Sequence, residues 1–275
     1  MKTIQHYPIV RRVKQIIGNV KSMDVSGYKD DFVARRIKAR MIALGIKSYS
    51  EYLRYLQSNR SEVDKLLDSL SINVSEFFRD PWVWNVLSTI LKKIIFSKKI
   101  KVVRIWSAGC SKGEEPYTIS ILLHEILGSK IKEYSITIYA TDIDKDALKW
   151  GEKGVYEESS LKNVSKALLR KYFVKIGPTT YIVKPEIKRI IKFRRHDMIK
   201  DPPYMFLDAV FCRNVLIYFN KELQESVLRK FHYALREGGI LVLGASEYIF
   251  GNVLKLFKPL NTRARIFLKP TYLNS

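Results

Sequence analysis

A run of small and polar residues followed by two acids is the part of this 275-residue chain with the clearest chemical content. It is Ser107-Ala108-Gly109-Cys110-Ser111-Lys112-Gly113-Glu114-Glu115. Glycines such as Gly109 let the backbone approach a ligand closely, and a helix that begins after the turn presents unpaired N–H groups. The spacing G-x-x-x-G belongs neither to the dinucleotide fingerprint nor to a phosphate loop. Because Glu114 and Glu115 would repel a pyrophosphate, we expect a cationic ligand here.

A second acidic position, Asp142, ends the segment Tyr134–Asp142, which has the composition of a second strand. A carboxylate at the tip of that strand can accept hydrogen bonds from both hydroxyls of a ribose. S-adenosylmethionine carries a ribose together with sulfonium and ammonium groups, so it suits both acidic positions. We predict that it is the cofactor. The alternative is a glycine turn and a helix-capping aspartate in an ordinary α/β protein.

The elements that must position these residues follow an α/β pattern. Val102–Trp106 is a short apolar run typical of a buried parallel strand, and helical spacing of apolar residues follows the two glutamates. Leu207–Cys212 predicts another buried strand, and Arg213, Asn214 and Tyr218 come after its end. Ligands of open α/β sheets bind beyond the carboxyl ends of the strands, so we expect these three side chains near the glycine turn.

Residues 1–70 show helical patterns throughout and predict a small all-helical domain. Within it, a helix around residues 31–41 turns Arg35, Arg36 and Arg40 toward one basic face. Such a face is either ordinary solvated surface or a docking surface for an acidic partner.

Two further segments have distinctive patterns. Residues 71–81 form an irregular crossing with capping residues, two aromatics, Arg79 and a proline, and with the helix that follows they make a linker over residues 71–97. The remainder, 98–275, is the expected cofactor-binding domain. Short β-rich runs over about 172–195, separated by glycine and proline, predict a small antiparallel insertion rather than a crossover helix.

Composition limits the class of the protein. The net charge of +22, from 49 Lys and Arg against 27 Asp and Glu, favours an acidic partner: nucleic acid, an anionic membrane face or an acidic protein. A lysine-rich proteome is the alternative. No apolar run could span a bilayer and the N-terminus lacks a signal-peptide core, so a cytoplasmic protein is predicted. Neither a disulfide between Cys110 and Cys212 nor a metal cluster is expected.

Several stretches, in order along most of the chain, resemble the CheR-type chemotaxis receptor glutamate methyltransferases. One of them alone would be weak, whereas the set in this order and spacing is specific. They are the RRI-x-x-R helix (Arg35–Arg40), the N-x-[ST]-x-F-F-R-x-P crossing (Asn73–Pro81), WSAGCSKGEEPYT (Trp106–Thr118), ATDID (Ala140–Asp144), FCRNVLIYF (Phe211–Phe219) and GGILVLGASE (Gly238–Glu247).

The resemblance implies an all-α N-terminal domain followed by an α/β, Rossmann-like class I methyltransferase sheet that carries a small antiparallel β-subdomain. The implied activity is methyl transfer from S-adenosylmethionine to glutamate carboxylates of chemoreceptor cytoplasmic helices, which forms glutamate methyl esters and S-adenosylhomocysteine. A glutamate carboxylate is ionised at neutral pH, so this reaction needs no general base.

The resemblance also implies site residues by position. Arg79 is expected to hold the incoming carboxylate in a forked pair, and Tyr218 to lie beside the reacting methyl group. Ser75 replaces a common threonine and keeps the hydroxyl, whereas Asp197 replaces a usual asparagine at the adenine and can accept but not donate a hydrogen bond. The expected cofactor contacts are Asn73, Ser75, Arg79, Gly109, Glu115, Asp142, Asp197, Met198, Arg213 and Asn214.

The implied partners are methyl-accepting chemotaxis receptors, which the basic face of Arg35, Arg36 and Arg40 would orient, without membrane insertion or nucleic acid. Some family members grip a receptor C-terminal peptide with a longer, glycine-rich loop in the β-subdomain. Here the corresponding loop is only Gly177-Pro178-Thr179-Thr180, so we expect independence from a tethering peptide.

Two other functions compete with this one. A nucleic-acid methyltransferase would account for the basic charge, but Asp201-Pro202-Pro203-Tyr204 precedes a predicted strand where an amino-methylating motif should follow one. A cofactor-binding module without catalysis is the other, and against it both Arg79 and Tyr218 are intact.

Overall fold

The computed structural model divides into two compact units, Met1–Ile72 with Tyr218–Gln224 and Asn73–Ile217 with Glu225–Ser275. Ser71, Ile72 and Val74, which belong to the predicted crossing, lie outside the described residues. The residues that the structure describes are 7–21, 24–70, 73 and 75–271.

The described residues of the amino-terminal part of the first unit form the helices α1 (Tyr7–Lys21), α2 (Asp30–Leu44), α3 (Tyr49–Ser58) and α4 (Arg60–Leu70). Glycine at position 45 ends α2 in the left-handed conformation with φ 70°, and a serine side chain caps α3 by accepting a backbone N–H at 3.1 Å. Apolar side chains from all four helices form one core, so the expectation of an all-helical N-terminal part is confirmed. The core includes Val13, Ile17, Phe32, Ile37, Tyr52, Leu56, Val63 and Leu66.

A short segment from late in the chain, Tyr218–Gln224, completes this helical unit. The ring of Tyr218 packs on Phe32 with 4.6 Å between ring centres, and the next ring in the chain, that of Phe219, lies 5.0 Å from the ring of Tyr28. Backbone bonds fix the segment, since the Lys29 N–H donates to the Tyr218 carbonyl at 2.9 Å.

The second unit is built on a seven-stranded sheet and a three-stranded sheet. Its elements are α5 (Pro81–Phe96), β1 (Val102–Ala108), α6 (Glu114–Leu127), β2 (Ser135–Asp142), α7 (Lys145–Lys153), β3 (Val155–Glu157), α8 (Lys166–Tyr172), β4 (Phe173–Lys175), β5 (Thr180–Val183), α9 (Pro185–Lys188), β6 (Ile191–Arg195), β7 (Leu207–Cys212), α10 (Lys221–Ala234), β8 (Leu235–Leu243), β9 (Lys258–Asn261) and β10 (Ile266–Leu268).

The strand order of the large sheet is β6-β2-β1-β7-β8-β10-β9. The first five strands in that order are parallel, and β10 runs antiparallel to both of its neighbours. This is the expected Rossmann-like class I methyltransferase sheet. Strand β7 is buried along its whole length, as predicted, and this includes the carboxylate of Asp208 within an otherwise apolar strand. The chain reverses its direction of winding between β1 and β7, where open sheets of this kind bind ligands.

The predicted β insertion exists, but its bounds of about 172–195 are wrong at both ends. The small antiparallel sheet has the order β3-β5-β4, so it begins with Val155–Glu157. Pro185–Lys188 is a helical turn, and Ile191–Arg195 pairs in parallel with β2 as the edge of the large sheet. The reason is burial: β6 is an edge strand whose alternate residues Ile191 and Phe193 enter the main core, which gives it the same alternation as a hairpin strand.

Among the described residues, no helix has the length and apolar character that crossing a membrane requires.

Candidate active site

The glycine turn between β1 and α6 is tied to the end of β2. The N–H groups of Gly109 and Cys110 donate to the Thr141 carbonyl at 2.8 and 2.9 Å. Gly109 has φ 78°, and a Cβ at this position would lie 2.7 Å from a methyl group of Val215. Both the backbone conformation and the close approach of Val215 therefore require glycine at this position.

Asp142, at the tip of β2, is aimed by two backbone bonds. Its carboxylate accepts hydrogen bonds from the N–H groups of Ser111 at 2.8 Å and Asp144 at 3.0 Å. Asn73 connects the same elements, since its amide nitrogen donates to Asp144 at 2.7 Å and its amide oxygen accepts from the Ser111 hydroxyl at 3.0 Å. Burial raises the pKa of Asp142. The carboxylate predicted to bind a ribose is thus held in one direction.

Two glutamates at the start of α6, the buried Glu114 and the half-buried Glu115, lie at the same edge. The Ser107 hydroxyl donates to Glu115 at 2.7 Å, whereas one carboxylate oxygen of Glu114 has no partner among the described residues. A hydrogen bond from Ser75 lowers the pKa of Glu114 and the charge of Arg213 lowers that of Glu115, but burial, the larger effect, raises both. Carboxylates kept in such surroundings suit a cationic ligand.

The buried Arg213, just after β7, links the crossing to α6. Its guanidinium donates to the Asp80 carboxylate at 2.7 Å and to the Arg79 carbonyl at 3.0 Å, and another of its nitrogens lies 4.0 Å from Glu115. It also lies over the Trp84 ring, 5.4 Å from the ring centre. The crossing is therefore fixed to the end of β7. Burial raises the pKa of Glu115, and the positive charges of Arg213 and Arg79 oppose that rise.

Glu247 organises the remaining strand end, and the sequence interpretation gave it no role. Its carboxylate is 3% exposed and accepts four backbone N–H groups, from Asn214 at 2.9 Å, Val215 at 2.9 Å, Leu216 at 2.7 Å and Gly244 at 2.6 Å. Asn214 is held at φ 62°, a left-handed conformation that asparagine tolerates better than most residues. An acid placed soon after an apolar strand was the available signal.

Asp197 uses its carboxylate in a local turn. One oxygen accepts the N–H groups of Ile199 at 2.8 Å and Lys200 at 3.3 Å, while its own N–H donates to Asp201 at 2.8 Å. These bonds need only acceptors on the side chain, so an aspartate serves here as well as an asparagine. The expected contact of Asp197 with an adenine stays a prediction.

The cofactor residues predicted from the sequence all belong to the second unit, and the contacts above join most of them. Met198 lies beside the glycine turn, because its methyl carbon would be 3.5 Å from a Cβ at Gly109. Burial raises the pKa of the Cys110 thiol, and the charges of Asp142, Glu115 and Glu114 raise it further. The three carboxylates therefore surround the turn. We use the name polar cluster for the three acids Glu114, Glu115 and Asp142 together with Asn73, Asp80, Arg213, Asn214 and Glu247.

The other predicted residues belong to the helical unit. Tyr218 packs on Phe32 there. The guanidinium of Arg40 forms a bidentate ion pair with the carboxylate of the buried Glu62, with two N···O distances of 2.8 Å. Arg36 lies over the Phe32 ring at 5.3 Å, and Arg35 is exposed. The expected basic face thus contains one arginine that is committed to an internal ion pair.

The polar cluster fits S-adenosylmethionine by the chemistry of its unused groups. Three buried polar atoms in it have no partner among the described residues: a carboxylate oxygen of Glu114, the Arg213 Nε and the Asn214 amide oxygen. Buried polar atoms are rarely left unpaired, so such a group points to a bound molecule. Asp142 suits the ribose hydroxyls, and the two glutamates suit the cationic part.

Two family models match the chain. The model described as the CheR methyltransferase all-alpha domain covers residues 10–71, and the model described as the CheR methyltransferase SAM binding domain covers residues 73–266. The second match contains the whole polar cluster, and the first contains the basic helix.

Similar proteins extend over most of the chain. A chemotaxis protein methyltransferase from Listeria innocua is 33% identical over 240 residues, which are 87% of this chain and 88% of that protein. An "Uncharacterized 104.1 kDa protein in hypE 3'region" from Rhodobacter capsulatus is 33% identical over 93% of this chain, which spans only 27% of that longer protein. A TehB-like SAM-dependent methyltransferase structure from Corynebacterium glutamicum aligns with 67% of this chain and 91% of its own, at 15% identity and a TM-score of 0.36.

Proposed function

The chain belongs to the CheR methyltransferase family, and on this premise we propose that it methylates glutamate side chains in cytoplasmic helices of chemotaxis receptors. The observation that carries the proposal is the polar cluster, in which the buried carboxylate of Glu114 and the half-buried carboxylates of Glu115 and Asp142 lie around one glycine turn. Bound S-adenosylmethionine supplies an electrophilic methyl group on a sulfonium. The products are a glutamate methyl ester and S-adenosylhomocysteine.

In this proposal the protein contributes placement rather than proton transfer. A substrate glutamate is already ionised at neutral pH, so its oxygen attacks without a general base. Holding the reacting atoms in line lowers the barrier, and a site drier than water favours a reaction between an anion and a cation. Asp142 would fix the ribose and Glu115 the cationic part, because both carboxylates are aimed by hydrogen bonds.

Arg79 and Tyr218 are the proposed catalytic residues. Arg79 would hold the substrate carboxylate through its forked guanidinium. Its fixed backbone supports this role, because the Arg79 carbonyl accepts hydrogen bonds from both Trp84 at 2.9 Å and Arg213 at 3.0 Å. Tyr218 would lie beside the reacting methyl group, and its position four residues after Asn214 supports that role.

The basic helix α2 is proposed to orient the receptor. Since Arg40 is bound by Glu62, the residues that support the idea best are Arg35 and Lys38, whose side chains are exposed. Reversing the charge with Arg35→Glu should raise KM for a receptor fragment and flatten its salt dependence. An unchanged KM at low salt would assign this face to ordinary solvated surface.

Independence from a tethering peptide is the remaining part of the proposal. The loop between β4 and β5 closes tightly, with the N–H groups of Ile176 and Gly177 donating to the Thr180 carbonyl at 2.9 and 3.3 Å. Such a loop offers little surface for a peptide. Immobilised receptor C-terminal peptides should not bind, whereas longer helical receptor fragments should. Micromolar binding of the short peptides would contradict this part alone.

The test of the function is transfer of labelled methyl groups into a receptor cytoplasmic fragment, with tRNA and DNA as competing acceptors. Base-labile label in the receptor fragment is the expected result, because carboxyl esters hydrolyse in base. Label found only in tRNA or DNA would overturn the proposal and support a nucleic-acid methyltransferase instead. The Asp-Pro-Pro-Tyr stretch does not support that alternative, since Tyr204 stacks on Tyr139 with 4.1 Å between ring centres.

A further inference from the structure

Two arginine–aromatic pairs lie on the surface of the second unit. The guanidinium of Arg263 lies 4.9 Å from the centre of the Trp82 ring, and that of Arg265 lies 3.8 Å from the centre of the Tyr248 ring. Trp82 is 36% exposed and Tyr248 is 58% exposed. Tryptophan, tyrosine and arginine are the residues most enriched where proteins bind other proteins. We call these four residues the arginine rim.

The turn that carries both arginines is fixed to the end of β8. The Ala264 N–H donates to the Asn261 side chain at 2.8 Å, which closes the turn between β9 and β10. The Leu243 N–H donates to the Arg265 carbonyl at 3.0 Å, and the Arg265 Nε donates to the Ala245 carbonyl at 3.3 Å. The rim therefore lies at the carboxyl edge of the sheet, the edge that also carries the polar cluster.

Both pairs adjoin the polar cluster along the chain. Trp82 follows Asp80 by two residues, and Asp80 binds the arginine after β7 at 2.7 Å. Tyr248 follows Glu247 directly, and the Glu247 carboxylate binds the Asn214 N–H at 2.9 Å. A segment of substrate that places one residue in the cluster would therefore pass the rim with its neighbouring residues.

The charge of the rim is available to such a segment. Within the described residues, no ion pair involves Arg263 or Arg265. A guanidinium that lies over an aromatic ring can still donate from its edge to a carboxylate, and for Arg265 the terminal N–H groups remain for this because its Nε donates to Ala245. Two such groups separated by one buried residue, Ala264, suit an acidic peptide better than a single charge would.

We propose that the arginine rim binds acidic side chains that flank the glutamate to be methylated, and so contributes to substrate selection. This inference rests on the proposed function. The chemistry on which it depends is a peptide with several carboxylates close together, positioned so that one of them enters the polar cluster.

The test compares Arg263→Gln with Lys258→Gln, which removes one positive charge from the opposite end of the same hairpin. Arg263→Gln should raise KM for a receptor cytoplasmic fragment about threefold to tenfold and make KM less sensitive to salt. Its kcat and its affinity for S-adenosylhomocysteine should stay unchanged, and Arg263→Lys should recover part of the loss. Equal KM values for Arg263→Gln and Lys258→Gln would overturn the inference.

A binding measurement separates this inference from the proposed function. Calorimetry with a synthetic glutamate-rich helical peptide should show weaker binding to Arg263→Gln than to Lys258→Gln. If the unaltered protein methylates no receptor fragment but the peptide result holds, the proposed function fails and the rim stands. Methylation of receptor with equal peptide binding by both variants overturns the rim alone. Preference of the rim for a single-stranded oligonucleotide over the peptide overturns the choice of partner.

Discussion

Asp142 illustrates how backbone donors can aim a carboxylate at a ligand. Two N–H groups hold the Asp142 carboxylate in place for the ribose. Asp142→Ala should therefore weaken binding of S-adenosylhomocysteine by about 2–4 kcal/mol, because the charge-assisted bonds to the ribose are lost. Calorimetric titration measures the change. Asp146→Ala is the matched control, since that carboxylate is 83% exposed on the neighbouring helix and should leave affinity unchanged. Equal affinities for the two variants would remove Asp142 from the site.

Glu247 makes a different prediction, because its carboxylate supports backbone rather than ligand. Glu247→Gln replaces one acceptor oxygen by an amide NH₂ group that would meet N–H donors, such as those of Asn214 and Gly244. We expect the free energy of unfolding to fall by about 2–4 kcal/mol, measured by urea denaturation. The exposed Glu237→Gln should change it by less than about 0.5 kcal/mol. A fall of similar size in both variants would show that the four bonds are unimportant.

Local residue patterns were enough to predict a cofactor site at the carboxyl ends of β1 and β2. Glycine is required at position 109 by its φ of 78°, and this need is visible in a single short stretch. The acid after β8 is visible in the sequence, but its role is not, because three of its four N–H donors, on residues 214–216, follow β7 and are distant in the chain. Asp80 was overlooked for the same reason, since its partner Arg213 is distant in sequence.

At the scale of elements, α2 shows that a basic face need not be a free one. Arg40 and Tyr52 both bind Glu62, which is 1% exposed. Burial raises the pKa of Tyr52, and the charge of Glu62 raises it further, so the tyrosine stays a neutral donor to this carboxylate. Helical periodicity assigned Arg40 to the surface correctly but could not reveal the acid on α4 that binds it.

Arg40→Gln should therefore lower stability rather than activity. Removing the guanidinium leaves Glu62 as a buried charge without its main partner, and we expect a loss of about 2–4 kcal/mol of unfolding free energy. Arg35→Gln, one turn earlier on the same helix and exposed, should cost less than about 0.5 kcal/mol. Thermal denaturation of both variants makes the comparison. Partial recovery in the double variant Arg40→Met with Glu62→Met would confirm the cause.

The strands show a second limit of sequence patterns. The runs after residue 172 are alike in sequence as short β-rich segments, yet Thr180–Val183 lies in the small sheet, whereas Ile191–Arg195, which alternates between buried and exposed residues, lies in the large one. Alternation tells which face of a strand is buried and not which sheet receives it. The parallel partner of β6 is β2, far away in the chain, so only tertiary packing decides the assignment.

At the scale of the whole molecule, the buried acids make stability depend on pH. Burial raises the pKa of Glu114 above its ordinary value of 4.5. A carboxyl with a raised pKa favours folding below the unfolded pKa and loses that contribution as the pH rises through the folded value. At neutral pH the folded protein therefore carries the cost of an ionised, buried Glu114. The ionised form of Glu114 suits a cationic ligand but lowers the stability of the folded protein, so binding and stability make opposite demands at this position.

Glu114→Gln should accordingly raise Tm at pH 7 by about 2–5 °C, and the difference should disappear below about pH 4, where the glutamate is protonated in both states. Scanning calorimetry across this pH range tests both the direction and the window. Glu237→Gln, at an exposed position, should show no such window. A Tm difference for Glu114→Gln that is independent of pH would exclude ionisation as the cause.

The return of Tyr218–Gln224 to the helical unit determines how this protein can be recombined with its relatives. If residues 1–72 were exchanged as one contiguous block, Phe32 and Tyr28 would come from one parent protein and the rings that they contact, Tyr218 and Phe219, from the other. A working chimera must transfer two pieces of gene together, the amino-terminal block and a seven-residue fragment near position 220. Inheritance of these two pieces is expected to be coupled, so substitutions at Tyr28 and Phe219 should compensate for each other in engineered libraries.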